Sequence, residues 1–149
     1  MKALIVYDSA YGNTEQIARA IGGAISGDVK VIRAGDASPS DLEAIDLLIV
    51  GAPTQRGRVT PPIRDFLNKI TKPALKGIDV AAFDTRLTTK WVGIFGYAAG
   101  RIARSLQKMG GNLVVNPEGF FVKGTEGPLK EGELERAAGW VKEIVKSKK

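Results

Sequence analysis

Short apolar runs alternate with helical patterns along the whole of this chain. The runs at residues 3–7, 47–50 and 80–83 are continuously apolar, which indicates strands that are buried on both faces. Strands of that kind belong to parallel sheets that helices cover on both sides. The alternation therefore predicts an α/β fold of three layers, with a parallel sheet between two layers of helices.

The same patterns predict the remaining elements. Further strands are expected at residues 29–34 and, as an interrupted fifth strand, at residues 113–115 and 120–122. The spacing of apolar residues predicts four helices, at residues 14–27, 60–70, 98–109 and 134–144. Thr60 is expected to cap the second helix with its hydroxyl, ahead of a proline at the first helical position. Right-handed crossovers and the chain length favour a five-stranded sheet in the order 2-1-3-4-5.

The composition excludes several kinds of chemistry. The 149 residues include no Cys and no His, which rules out disulfides, thiolate nucleophiles, imidazole bases and zinc sites built from these ligands. Carboxylate chemistry, hard-cation binding or a bound organic cofactor remains. We predict a single domain over residues 1–149, with no catalytic side chain and no metal ligand.

The charge and hydropathy of the chain bear on its partners. Lys and Arg total 22 against 16 Asp and Glu, a formal charge of +6, which favours anionic ligands or acidic partners. The sequence shows no interleaving of aromatic and basic residues, so it gives no indication of nucleic-acid binding. No apolar run approaches the roughly 18 residues that a membrane span needs, and the first one is too short for a signal peptide. We therefore expect a cytoplasmic protein.

The loops after the first, third and fourth strands are the predicted ligand site, because ligands bind such sheets where the strand order reverses. In the first loop, residues 9–14 lead from a strand into a helix, so backbone N–H groups and the positive helix end converge there. A phosphate fits such a turn, although the turn contains no Lys or Arg and lacks the nucleoside-triphosphatase pattern Gly-x4-Gly-Lys-Ser/Thr. A simple capped turn between strand and helix explains the same residues. The third loop is predicted to span residues 84–97.

Two of these loops resemble those of a known family. Residues 9–15 resemble the flavodoxin phosphate loop, Ser/Thr-x-Ser/Thr-Gly-Asn-Thr-Glu; residues 12–15 match it directly, and Tyr11 departs from it. Residues 51–57, with the prolines and the Phe-Leu pair that follow, are similar to the family's segment Gly-Ser/Ala-Pro-Thr-x-x-Gly…Pro-Pro…Phe-Leu/Phe. The resemblance runs over nearly the whole chain, and two motifs at the right separation are more specific than either alone.

The resemblance implies a flavodoxin-like fold that binds FMN. The residues that it assigns to the phosphate are Ser9, Ala10, Tyr11, Gly12, Asn13 and Thr14. Those that it assigns to the isoalloxazine are Pro53, Thr54, Gln55, Arg56 and Gly57, with Asp84, Thr85 and Arg86 as candidates at the pyrimidine edge. Trp91 is the preferred stacking aromatic, Arg56 is a possible stacking substitute, and a flip of the Gly57 peptide would offer a carbonyl to protonated N5.

The resemblance also implies a carrier that shuttles electrons between redox proteins, with the flavin supplying the chemistry. One alternative is a short FMN-dependent NAD(P)H:quinone-type oxidoreductase whose arginines clamp nucleotide phosphates. It is disfavoured because quinone reductases of this fold are longer. A second alternative is an interaction module that keeps the fold without a flavin.

The basic charge departs from the acidic surfaces usual among flavodoxins. Arg56, Arg58, Arg86 and Lys90 all fall in loops predicted to surround the flavin. One positive charge ~10 Å from the reduced ring is worth ~1.7 kcal/mol at an effective dielectric of ~20, or roughly 70 mV before screening. We therefore predict a second one-electron potential less negative than in acidic flavodoxins, and redox partners with acidic docking surfaces.

Overall fold

A parallel sheet forms the centre of the molecule. The computed structural model describes residues 1–54, 58–70, 74–87 and 97–147. Within these ranges the strands are β1 (Lys2–Tyr7), β2 (Asp28–Arg33), β3 (Leu47–Pro53), β4 (Asp79–Leu87), β5 (Asn112–Leu113) and β6 (Glu118–Val122). The strand order is β2-β1-β3-β4-β5, every pairing is parallel, and β6 also pairs with β4. The predicted order 2-1-3-4-5 is confirmed, with β5 and β6 as the two halves of the interrupted fifth strand.

Helices cover both faces of the sheet. They are α1 (Asn13–Gly23), α2 (Pro61–Lys69), α3 (Ala98–Lys108) and α4 (Glu133–Ser147), and two short 3₁₀ turns, Ala34–Asp36 and Pro39–Leu42, follow β2. The buried residues form two clusters, one between the sheet and α2 with α3, the other between the sheet and α1 with α4. The three-layer α/β fold is thereby confirmed. Across the described ranges, no helix combines the length and the apolarity that crossing a bilayer would require.

Alternate residues of one strand belong to opposite layers of the core. In β1, Leu4 and Val6 lie in the cluster under α2 and α3, whereas Ala3 and Ile5 lie in the cluster under α1 and α4. This is the period-two alternation of side chains on a pleated strand. Because both faces are covered by helices, every one of these positions is apolar, and the continuous run at residues 3–7 is explained.

An aromatic cluster fills the layer under α1 and α4. The rings of Phe83, Phe120 and Trp140 meet edge to face, with centroids 5.9 to 6.2 Å apart. Phe83 lies directly across Gly51 of the neighbouring strand, where a Cβ would collide with its ring. A glycine at this point of β3 thus lets a large ring sit flat on the sheet, close to the carboxyl end where the predicted site lies.

Two strands are longer than predicted. β3 continues to Pro53, and β4 continues to Leu87, so Asp84, Thr85 and Arg86 belong to a strand and their assignment to a loop is wrong. Thr85 is paired with Pro53 on one side and with Phe120 on the other. Because β4 pairs with a neighbouring strand on each edge, it continues through these polar residues. Their sequence pattern had predicted a loop.

The hydroxyl cap predicted for the second helix is also wrong. Thr60 is the N-cap residue of α2 and its carbonyl accepts the Arg64 N–H at 3.0 Å, but its hydroxyl makes no cap bond. That Oγ1 is buried and has no hydrogen-bond partner within the described part of the chain. Prolines occupy the first two helical positions, so the N–H at the second position, a usual target of a capping hydroxyl, is missing.

Candidate functional site

The carboxyl ends of β1, β3 and β4 surround one open cleft. It lies where the strand order reverses between β1 and β3, as expected for an open parallel sheet. The residues that line it are Ser9, Ala10, Tyr11, Asn13, Thr14, Pro53, Thr54, Thr85, Arg86, Leu87, Val122 and Thr125.

Most of the residues predicted for the site are among those that line the cleft. Gly12 belongs to the same turn, and Asp84 lies fully buried beneath the cleft. Gln55, Arg56, Gly57 and Trp91 lie outside the described residues, so their predicted roles stay predictions. Leu87, Val122 and Thr125 were missed, because Leu87 and Val122 end β4 and β6, Thr125 follows β6, and none of the three belongs to a recognisable motif.

The turn from β1 into α1 is built around Gly12. Gly12 is the N-cap of α1 at φ +90°, the left-handed region that glycine enters at little cost. Its N–H donates to the Ser9 hydroxyl at 2.9 Å, and its carbonyl accepts the Gln16 N–H at 3.1 Å. No side chain in the described ranges caps this helix. The first N–H groups of α1 are therefore open to an outside acceptor, and an anion at the helix end would accept from them as water does.

A pair of threonines joins this turn to β4. The hydroxyls of Thr14 and Thr85 are 2.8 Å apart and buried, although the residues are 71 positions apart in sequence. Only one of the two hydroxyl hydrogens is used in this bond, so the other remains to donate to a ligand in the cleft. The pair fixes the distance between the first turn of α1 and the end of β4.

Positive charge reaches the turn from a neighbouring strand. Arg33, at the end of β2, contacts the Ser9 carbonyl and the Glu15 carboxylate, each at 3.4 Å. Arg19 donates to Glu15 at 2.9 and 3.0 Å, and this hydrogen bond holds the pKa of Glu15 below its usual value. One carboxylate thus faces two guanidinium groups beside the turn. The turn itself contains no cation, but Arg33 was within reach of prediction because β2 is the neighbour of β1 in the expected order.

Arg86 lines the cleft and forms a largely buried ion pair with Asp84. Its guanidinium binds both oxygens of Asp84, at 2.7 and 2.9 Å, and lies 3.4 Å from the centroid of the Tyr97 ring. Asp84 is completely buried, whereas the Arg86 side chain keeps about 15% of its surface exposed. We expected Arg86 to add uncompensated positive charge next to the ligand. The structure instead balances that charge with the Asp84 carboxylate.

Side chains at the carboxyl ends of β3 and β4 cap helix α3. The Asp84 carboxylate accepts the Ala99 N–H at 3.0 Å, and the Thr54 hydroxyl accepts the Ala98 N–H at 3.1 Å. Two orphan donors of the first turn are satisfied by this arrangement. Helix α3 therefore begins at the edge of the cleft in a position that β3 and β4 determine together.

A hairpin that begins at the end of β6 forms a further wall of the cleft within the described residues. We call residues 121–130 the 121–130 hairpin. The Lys123 N–H donates to the Pro128 carbonyl at 2.8 Å, and the Lys130 N–H donates to the Phe121 carbonyl at 2.9 Å. These antiparallel bonds fold the chain back on itself and place Thr125 at the cleft.

Glu133 anchors the base of this hairpin. Its buried carboxylate accepts the Phe121 N–H at 2.7 Å and pairs with Arg136 at 2.7 Å. Arg136 in turn lies 4.6 Å from the centroid of the Phe120 ring. The hydrogen bond from Arg136, with the Phe121 N–H, lowers the pKa of Glu133 below its usual 4.5, although burial opposes the shift.

The chain matches a family over most of its length. Residues 5–140 match the sequence profile named Flavodoxin. The chain belongs to the flavodoxin family. Oxidised flavodoxin 2 from Bacillus cereus is 24% identical, with a TM-score of 0.84 over 99% of each chain. A flavodoxin from the domain Archaea is 27% identical, with a TM-score of 0.80 over 99% of this chain and 98% of its own. No curated protein sequence matches significantly.

This flavodoxin-family chain also resembles part of a larger protein. It is 21% identical to rubredoxin oxygen:oxidoreductase from Desulfovibrio gigas, with a TM-score of 0.78. The match covers 98% of this chain but only 35% of that protein. At this identity the likeness shows the fold alone, so the same three-layer unit occurs both separately and inside a longer chain.

Glu133 yields a prediction on the acid stability of this flavodoxin-family protein. Its pKa is lowered on folding, so its stabilising contribution is present above the unfolded value of about 4.5 and is lost as the pH falls through the folded pKa. Glu133→Gln should lower the free energy of unfolding by about 1–3 kcal/mol at pH 7, with a smaller loss at a pH well below 4.5. Urea unfolding at both pH values measures this. Glu135→Gln, exposed on the same helix, should change neither, and a uniform loss at both pH values would contradict the assignment.

Proposed function

We propose that this chain binds FMN at the cleft and carries electrons between redox proteins. The observation that carries the proposal is the uncapped start of α1, which faces the cleft from a glycine turn. Its N–H groups suit a phosphate monoester, and the threonine pair adds a hydroxyl donor. Membership of the flavodoxin family, whose members are FMN flavoproteins, supports the same cofactor.

Different residues of the cleft would contact the phosphate and the flavin ring of FMN. Residues 9–14 would hold the phosphate, while Pro53, Thr54, Thr85 and Arg86 would lie along the flavin ring. Gln55, Arg56, Gly57 and Trp91 complete the proposed set from segments outside the described residues. When bound, FMN supplies reversible one- and two-electron transfer. The chain binds and orients it, and Asp84 and Arg86 contribute a nearly neutral charge pair at the edge.

The proposed partners are redox proteins with acidic docking surfaces. Helix α3 starts at the cleft and carries three exposed basic side chains, Arg101, Arg104 and Lys108. With a formal charge of +6 on the chain, such a face attracts negative surfaces and speeds encounter at low salt. The cytoplasmic location inferred from the sequence stays a prediction.

The decisive experiment is titration of the purified apoprotein with FMN and with riboflavin by calorimetry. FMN should bind at micromolar concentration or below, and at least about tenfold more tightly than riboflavin, because riboflavin lacks the charged group that the turn would hold. Absence of FMN binding at micromolar levels would overturn the proposal. Rapid bleaching of the bound flavin by NADPH would instead identify the reductase alternative.

A further inference from the structure

We propose that the 121–130 hairpin is the second wall of the phosphate site, and that Thr125 is a specificity-determining residue for a phosphate monoester. The inference rests on the proposed function, because it concerns the same cleft. It assigns part of the recognition to a segment that carries no sequence motif. A phosphate would then be held from two sides, by α1 and by this hairpin.

The hairpin lies in direct contact with the turn before α1. A Cβ on Gly127 would lie 2.7 Å from the side-chain oxygen of Asn13 and 2.8 Å from its nitrogen. Gly127 also has φ +104°, a left-handed conformation in which side chains are strained. Both the left-handed φ and the close approach to the Asn13 side chain favour glycine here, and the hairpin packs against the start of α1.

Thr125 faces the ligand space. It lines the same cleft as Ser9, Ala10 and Thr14. Its side chain is exposed, and its hydroxyl has no hydrogen-bond partner among the residues that the structure describes. The N–H groups of the first turn of α1 approach an anion from the helix side only. A phosphate monoester has three terminal oxygens, so a donor on the facing wall completes its hydrogen bonding.

The hairpin is held in place before any ligand arrives. Its two antiparallel hydrogen bonds and the Gly127 N–H bond to the Gly124 carbonyl, at 2.9 Å, close the turn. Glu133 fixes its base through Phe121 and is itself held by Arg136. A donor on such a preorganised segment loses little conformational entropy on binding. Glu133 and Arg136 are therefore positioning residues for Thr125.

Thr125→Val tests the hydroxyl, because valine keeps the shape of threonine and removes the donor. The Kd for FMN should rise about tenfold, while the Kd for riboflavin stays unchanged. Thr125→Ser is the matched control, since it keeps the hydroxyl and should preserve the preference for FMN. Equal FMN-to-riboflavin ratios in wild type and Thr125→Val would overturn the inference while leaving the proposed function intact.

Inorganic phosphate separates the failure of this inference from the failure of the proposed function. In a titration of the apoprotein followed by amide NMR, phosphate should shift residues 124–127 together with residues 13–15. If FMN fails to bind but phosphate shifts both sets, the two-walled anion site stands without the flavin. If phosphate shifts only residues 13–15, or shifts neither set, the hairpin is not part of the site.

Discussion

Arg86→Gln should lower the free energy of unfolding by about 3–5 kcal/mol, because removal of one partner of a buried ion pair leaves the other charge unpaired. Asp84 is fully buried, and among the residues that the structure describes the Ala99 N–H would be its one remaining charge-stabilising contact. Such a loss is a large share of the stability of a small domain. The stacking of the guanidinium on Tyr97 would disappear as well.

Denaturant unfolding of three variants measures this effect. Asp84→Asn with Arg86→Gln should recover at least half of the loss, because the pair is then neutral on both sides. Arg104→Gln, an exposed change on α3, should stay within about 0.5 kcal/mol of wild type. If Arg86→Gln unfolds at the wild-type midpoint, Asp84 is not held by Arg86 as the structure indicates.

The same variants test the charge tuning inferred from the sequence. With the pair intact, the guanidinium and the carboxylate largely cancel next to the cleft. Arg86→Gln leaves a net negative charge there, so the reduction potentials of the FMN-loaded protein should fall. The double variant should return them toward the wild-type values. Potentials unchanged in Arg86→Gln would show that this pair is electrostatically remote from the flavin.

Gly12→Asp should weaken FMN binding by more than 100-fold. The new carboxylate would lie at the N-cap of α1, where the phosphate is proposed to bind, and two like charges about 4 Å apart repel by ~4 kcal/mol at an effective dielectric of ~20. A Cβ at Gly12 would meet no atom within 4 Å, so the substitution does not collide with its surroundings. The effect is therefore electrostatic rather than steric.

Stability separates this effect from misfolding. The φ of +90° strains any side chain at Gly12 by about 1–2 kcal/mol, and aspartate and asparagine share this cost. Both apoproteins should thus unfold only about 2–8 °C below the wild-type temperature. Gly12→Asn has nearly the same shape without the charge and tolerates the left-handed region, so it should bind FMN within about tenfold of wild type. Tight FMN binding by Gly12→Asp, measured by calorimetry, would show that the phosphate lies elsewhere.

The sequence by itself determined the three-layer fold and the order of its strands. Continuous apolar runs at residues 3–7 and 47–50 indicate strands covered on both faces, and their alternation with helical patterns indicates a parallel sheet between two layers of helices. The turn at residues 9–14 was equally predictable from the sequence, because a glycine between a strand and a helix permits a left-handed backbone conformation. These features depend on local pattern and on general rules of chain connection.

The tertiary structure alone decided how the walls of the cleft are joined. The hydroxyls of Thr14 and Thr85, 71 positions apart in sequence, form a hydrogen bond, and the 121–130 hairpin lies against Asn13. No local sequence pattern predicts either contact. Asp84 had the polar character of a loop residue, yet a guanidinium two positions away and the start of α3 allow it to lie buried in a strand. Polar residues can be buried only when their partners are supplied, and those partners come from elements that only folding brings together.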